Sequence, residues 1–161
     1  MNEDRYLLDA NVLTRLTPDQ RASAFVSERC RVPSDVMYEA RGLADLPAIS
    51  RIELPIDPKT LERLRDVMRS IAPEDRSLVD LYHNKGAADP VIVAAALVAD
   101  SGEDQLWQTQ WHIVSDDAAV RTTASTFGVP WISRAELVTL IEDDTASSLP
   151  EVDLNDQLME P

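Results

Sequence analysis

An α/β fold with a short, mainly parallel sheet follows from three observations on the sequence. Apolar runs of strand type recur at "YLL" (Tyr6–Leu8), near Ile52–Leu54, at "WHIVS" (Trp111–Ser115) and at "WIS" (Trp131–Ser133). Between them lie segments with helix-start signals and apolar residues at helical spacing. The chain has 161 residues, 44% of them hydrophobic, enough to bury a core in one domain. Strands alternating with helices predict a three-layer α/β/α arrangement.

Taken in order, the strand Tyr6–Leu8 runs into a helix from about Ala10 to Leu16. "TPDQRASAFVSERC" reads as one further helix, with Thr17 as N-cap and Pro18 at the first helical position. Ser34 is placed as the cap of the next helix, which ends near Gly42. "LADLPAISRIELPID" is broken by proline and holds only the short strand Ile52–Leu54. Pro58 opens a helix to about Ile71, with Leu61, Leu64, Val67, Met68 and Ile71 on one face, and another helix covers about Pro73–His83.

After the break at "NKGAADP", the run "VIVAAALVA" is apolar on every side. Its length is open to a buried strand, but three alanines and the reach to Asp100 favour a buried helix. A polar loop follows, then the strand at "WHIVS", a helix from Asp116–Asp117 to about Thr126, a turn at "FGVP", the strand "WIS", and a last helix from Arg134. The domain is drawn over residues 1–141, and residues 142–161 are set apart as an acidic tail, weakly ordered when alone.

The formal charge is −14. Residues 142–161 hold seven acids and neither Lys nor Arg, so half of that charge belongs to the tail. An acidic surface argues against a sequence-independent grip on nucleic acid through phosphate neutralisation. It leaves room for an enzyme that meets phosphate through a metal ion, because the ion brings its own positive charge. The single cysteine, Cys30, reads as a small buried hydrophobe, and one cysteine fits a reducing compartment. Neither a membrane span nor a secretory leader is read in the sequence, so a cytoplasmic location is expected, with no membrane partner.

Acids stand at the borders of the apolar segments. Asp9 follows "YLL", Asp89 precedes "PVIVAAALV", and Asp116–Asp117 follow "WHIVS". In a parallel sheet, residues after strands fall at the carboxyl edge, where such folds place their sites. Glu39 lies within the helix of "DVMYEAR". Each has a structural alternative: Asp9 as a cap of the helix from Ala10, Asp89 as a cap before Pro90, one of Asp116–Asp117 as a cap, and Glu39 as solvated helix surface. Capping and metal ligation are compatible, since a carboxylate has two oxygens. Carboxylates converging on one crevice repel unless neutralised, and a hard divalent cation such as Mg²⁺ or Mn²⁺ does this. Metal-assisted phosphodiester hydrolysis is chemistry that such clusters serve.

The segments "LLDANVL", "SDVMYEA", "AADPVIVAAAL" and "IVSDDAAV", in this order, resemble the PIN-domain ribonucleases, and in particular VapC-like toxins of type II toxin–antitoxin pairs. The resemblance runs from about Tyr6 to Ser133. It implies a three-layer PIN-like domain and a Mg²⁺- or Mn²⁺-dependent endoribonuclease, neutralised by a cognate antitoxin protein. Asp9, Glu39, Asp89 and Asp117 match the catalytic acids. Asp9, Asp89 and Asp117 would bind metal, with Asp116 one residue away as an alternative ligand, and Asn11 and Ser115 match supporting polar residues. Homodimerisation is a further expectation from the resemblance. Pro90, the long loop before Trp111 and the acidic tail depart from the pattern. A catalytically silent PIN-fold binding module and an RNA-processing nuclease outside a toxin–antitoxin system are the alternatives.

Other residues read more plainly. His83 and His112 stand apart without zinc spacing, and neither a P-loop nor a dinucleotide fingerprint is present. Trp107 and Trp111 read as packing residues before RNA stackers. Arg15, Arg41 and Arg121 lie one or two helical turns beyond the acids and read as solvated surface, with a phosphate contact as the alternative. A receiver domain would need its acidic pair after the first strand, and a haloacid-dehalogenase-type phosphatase would need Asp where Asn11 stands.

Overall fold

The computed structural model describes residues 3–71, 89–101 and 109–148 of the chain. The element order begins β1 (Glu3–Leu8), α1 (Ala10–Arg15), α2 (Pro18–Ala22), α3 (Ala24–Arg29), β2 (Cys30–Pro33), α4 (Ser34–Glu39) and α5 (Leu46–Ile49). A 3₁₀ turn (Ser50–Ile52) then leads to β3 (Glu53–Leu54), followed by α6 (Pro58–Ser70), α7 (Asp89–Asp100), β4 (Thr109–Val114), α8 (Ala118–Thr126), β5 (Trp131–Ile132) and α9 (Arg134–Ser147). The helix expected over Pro73–His83 and the loop around Trp107 lie outside the described residues.

All five strands are parallel, in the order β3-β2-β1-β4-β5. The chain lays β2 and β3 to one side of β1 and then returns to place β4 on the other. Strand order therefore reverses between β1 and β4, the position where open α/β sheets form their binding crevice. The β1–β4 ladder is the longest, from Glu3 opposite Thr109 to Leu8 opposite Val114.

Alternation along the strands divides the core between the two faces of the sheet. Tyr6, Leu8, Cys30, Val32 and Val114 join one buried cluster, which takes in Val12 of α1, Val26 of α3, Val36 of α4 and Leu137 of α9. Leu7 and Ile113 point the other way, into a cluster with Val67 of α6, Ile92 of α7 and Val120 of α8. With helices on both faces, the fold is the three-layer α/β arrangement that the alternating elements predict. Each fully buried aliphatic side chain contributes roughly 1.5–3 kcal/mol. The "VIVAAALVA" run is helical, and Ala94, Ala95 and Ala96 are buried, so α7 sits close against its neighbours.

Local chemistry explains where the elements differ from the sequence expectation. The long helix expected over "TPDQRASAFVSERC" is broken at Ser23, whose hydroxyl accepts from the Val26 amide at 3.2 Å and caps α3. A serine that offers the backbone a local acceptor ends one helix and starts another. The last residue of that segment, Cys30, is not helical but opens β2, a four-residue strand with no turn signal before it. Burial pushes the Cys30 thiol up to about 12. Ser34 is the first residue of α4, not its cap, and α4 ends at Glu39 before Gly42. Helix α9 runs to Ser147, so the stretch set apart as a tail begins inside a helix, and residues 149–161 lie outside the described residues. Among the described residues no helix is long and apolar enough to cross a membrane.

Candidate functional site

Asp9 sits where β1 hands over to α1. Its backbone is still extended, and its amide donates to the Val114 carbonyl of β4 at 3.2 Å. The side chain caps α1, with Oδ1 accepting from the Val12 amide at 2.6 Å. It is 4% exposed. The cap is therefore real, yet capping does not require this depth of burial, since Thr17 and Asp57 cap their helices at more open positions.

Ser115 follows β4 and is completely buried. Its amide donates to the Ile132 carbonyl of β5 at 3.1 Å, which fixes the residue between two strands. Its hydroxyl accepts from the Asp117 amide at 3.1 Å and lies near enough to the Asp9 carboxylate to lower its pKa. Ser115 thus links the acid after β1 to the acid after β4. Asp117 in turn caps α8, with Oδ1 accepting from the amides of Ala119 at 2.7 Å and Val120 at 3.2 Å. Its other carboxylate oxygen is engaged by no hydrogen bond among the described residues.

Electrostatics at this point are unfavourable to the charged form of Asp9. The Asp9 pKa is raised, above all because burial removes it from water, and further because Asp116 and Asp117 are negative neighbours. The bonds from Ser115 and Val12 oppose this shift without cancelling it. A buried acid crowded by other acids is a site that gains from a cation.

The other sequence-derived residues fall in different places. Glu39 is exposed at the end of α4, the helix that follows β2, one strand over from β1. Asn11 is exposed on the first turn of α1, and the side-chain support for Asp9 comes from Ser115. Asp89 begins α7, and its side chain lies outside the described residues. Asp116 pairs with two arginines, accepting from Arg121 Nη2 at 3.2 Å and from the Arg134 amide at 3.1 Å, while its charge still raises the Asp9 pKa. Among the described residues no three Asp, Glu, His or Cys side chains form a compact metal-ligand group.

The donor set nevertheless suits a hard cation. Asp9 and Asp117 bring carboxylate oxygens to the crevice between β1 and β4, which is the preference of Mg²⁺ or Mn²⁺. In the sequence Trp131 and Arg134 mark only a short strand and a helix start. Arg134 follows the shortest of strands, and only the pairing of β5 beside β4 brings it to Asp116. No protein-family model matches the chain, and a search of curated proteins finds no match, so the residues themselves carry the functional reading.

Proposed function

We propose that the chain is a metal-dependent endoribonuclease of PIN-domain type, acting as a VapC-like toxin with a cognate antitoxin. The observation that carries this reading is the Asp9–Ser115–Asp117 unit at the carboxyl ends of β1 and β4, where the strand order reverses. Asp9 and Asp117 would hold Mg²⁺ or Mn²⁺, with Asp89 and Glu39 completing the acidic set. Such an ion, when bound, activates water and stabilises charge on a phosphodiester undergoing in-line displacement.

The protein's own part is to hold the acids. Capping bonds fix one oxygen of Asp9 and one of Asp117. Ser115 lies beside the Asp9 carboxylate and accepts from the Asp117 backbone amide, which sets the two acids next to each other. Burial of Asp9 disfavours its charge in the metal-free protein and raises the gain on neutralising it.

Incubation of single-stranded RNA with the protein in Mn²⁺, against an EDTA control, tests the reading. Cleavage that EDTA stops, and that Asp9→Asn abolishes with folding intact, is the expected result. Full activity in Asp9→Asn removes the proposal. Inhibition by the product of a neighbouring small open reading frame tests the toxin assignment, and its absence turns the reading toward RNA processing.

A further inference from the structure

Beside the acids, the ends of β4 and β5 hold two arginines gathered around one aspartate. Asp116 Oδ1 accepts from Arg121 Nη2 at 3.2 Å and from the Arg134 amide at 3.1 Å. The Arg134 Nε lies 3.6 Å from Asp116 Oδ2, and it is buried with no hydrogen-bond partner among the described residues. Arg121 is held more firmly. Its Nε donates to the Ser115 carbonyl at 2.8 Å, and its guanidinium lies 4.6 Å from the centroid of the Trp131 ring. Trp131 is 38% exposed and is pinned by its indole N–H to Ser125 Oγ at 3.1 Å.

An ordinary surface ion pair would match one cation to one anion and contribute little. Here two guanidinia share the Asp116 carboxylate, and the next acid on α9, Glu136, is committed to the Ser133 cap. A guanidinium carries five N–H donors, and the Arg121 side chain commits two in the bonds described. Spare planar donors beside an exposed indole suit a phosphate oxygen and an adjoining base. The carbonyl that anchors Arg121 belongs to Ser115, the residue that joins Asp9 to Asp117.

We infer that Arg121 and Arg134 form a phosphate subsite for single-stranded RNA next to Asp9 and Asp117, with Asp116 a positioning residue that holds the guanidinia and not a metal ligand. This rests on the nuclease reading for its ligand, but its test does not need cleavage. Binding of a fluorescently labelled oligoribonucleotide to the full chain is followed by anisotropy in EDTA over a range of salt. Arg134→Gln and Arg121→Gln each weaken binding about tenfold, and each makes the slope of log K against log salt shallower by about 0.7. Arg121→Lys keeps most of the slope. Asp116→Asn weakens RNA binding and lowers the Mn²⁺ affinity measured by calorimetry less than Asp117→Asn does.

Parent affinity and slope in both Gln variants overturn the inference, as does a loss of Mn²⁺ affinity in Asp116→Asn as large as that in Asp117→Asn. If Arg121→Gln fails to fold because the Ser115 tie is lost, Arg134→Gln, whose side chain lacks that tie, still decides. Arginine-dependent binding by a chain that never cleaves with Mn²⁺ removes the nuclease reading and leaves the subsite standing. Cleavage with an unchanged KM in the Gln variants does the reverse.

Discussion

The Asp9 carboxylate caps α1, lies beside Ser115, and has negative neighbours at 4% exposure. Its folded pKa is raised, so the native state binds a proton more readily than the unfolded chain does. The sign follows: above the raised pKa the buried charge costs stability, and that cost is relieved as pH falls from the folded pKa toward the ordinary value of 3.8. Asp9→Asn keeps an acceptor for the Val12 amide and removes the charge. It is expected to stabilise the metal-free fold at neutral pH by about 0.5–2 kcal/mol while abolishing cleavage, a trade seen at strained sites. Thermal melts with and without Mn²⁺ check this: the parent should gain stability from the ion by mass action and the variant should not. Ser115→Ala removes the link between the two acids and should lower cleavage about 10–100-fold, as loss of a ligand's supporting partner does.

Helix α1 depends on α2 to close its far end. Arg21, only 6% exposed, donates from Nη1 to the carbonyls of Leu16 and Leu13 and grips Asp45 with Nε and Nη2 at 2.7 and 2.9 Å. Those carbonyls belong to the last turn of the helix that Asp9 caps, so the two ends of α1 are satisfied by residues from different elements. Arg21→Ala leaves buried acceptors without a donor and is expected to cost about 1–3 kcal/mol in denaturant unfolding. The bond from Arg21 also holds the Asp45 pKa below its ordinary value. That contribution is present above the unfolded pKa near 3.8 and is lost as pH falls through the lower folded value. Acid unfolding of the parent should therefore show a component that the Arg21→Ala variant lacks. At this scale the sequence is legible where capping chemistry is strong. Thr17 and Pro18 mark the start of α2, and Pro58 lies at the start of α6. Strand β2 is illegible because four residues ending in proline carry no alternation worth reading, and their pairing comes wholly from β1 and β3.

Across the whole molecule, the sheet separates two apolar clusters that meet only through its strands. Leu7 and Leu8 are neighbours in sequence and completely buried on opposite faces. Truncating either to alanine should cost about 2–5 kcal/mol, which for a domain of this size lowers Tm by roughly 10 °C. A much smaller loss at either position, in a calorimetric scan, would speak against a core on both faces. The sequence by itself determined the fold class, the alternation of elements and the acids at their borders. Those features are local: periodicity, caps and the residue that ends a strand are written within a few positions of each other. Only the tertiary structure decided that Ser115 joins Asp9 to Asp117, and that Asp116 belongs to Arg121 and Arg134. The first depends on β4 lining up beside β1, which brings together residues more than a hundred positions apart, and the contact of Asp116 with Arg134 depends on β5 lining up beside β4; no local pattern encodes either register.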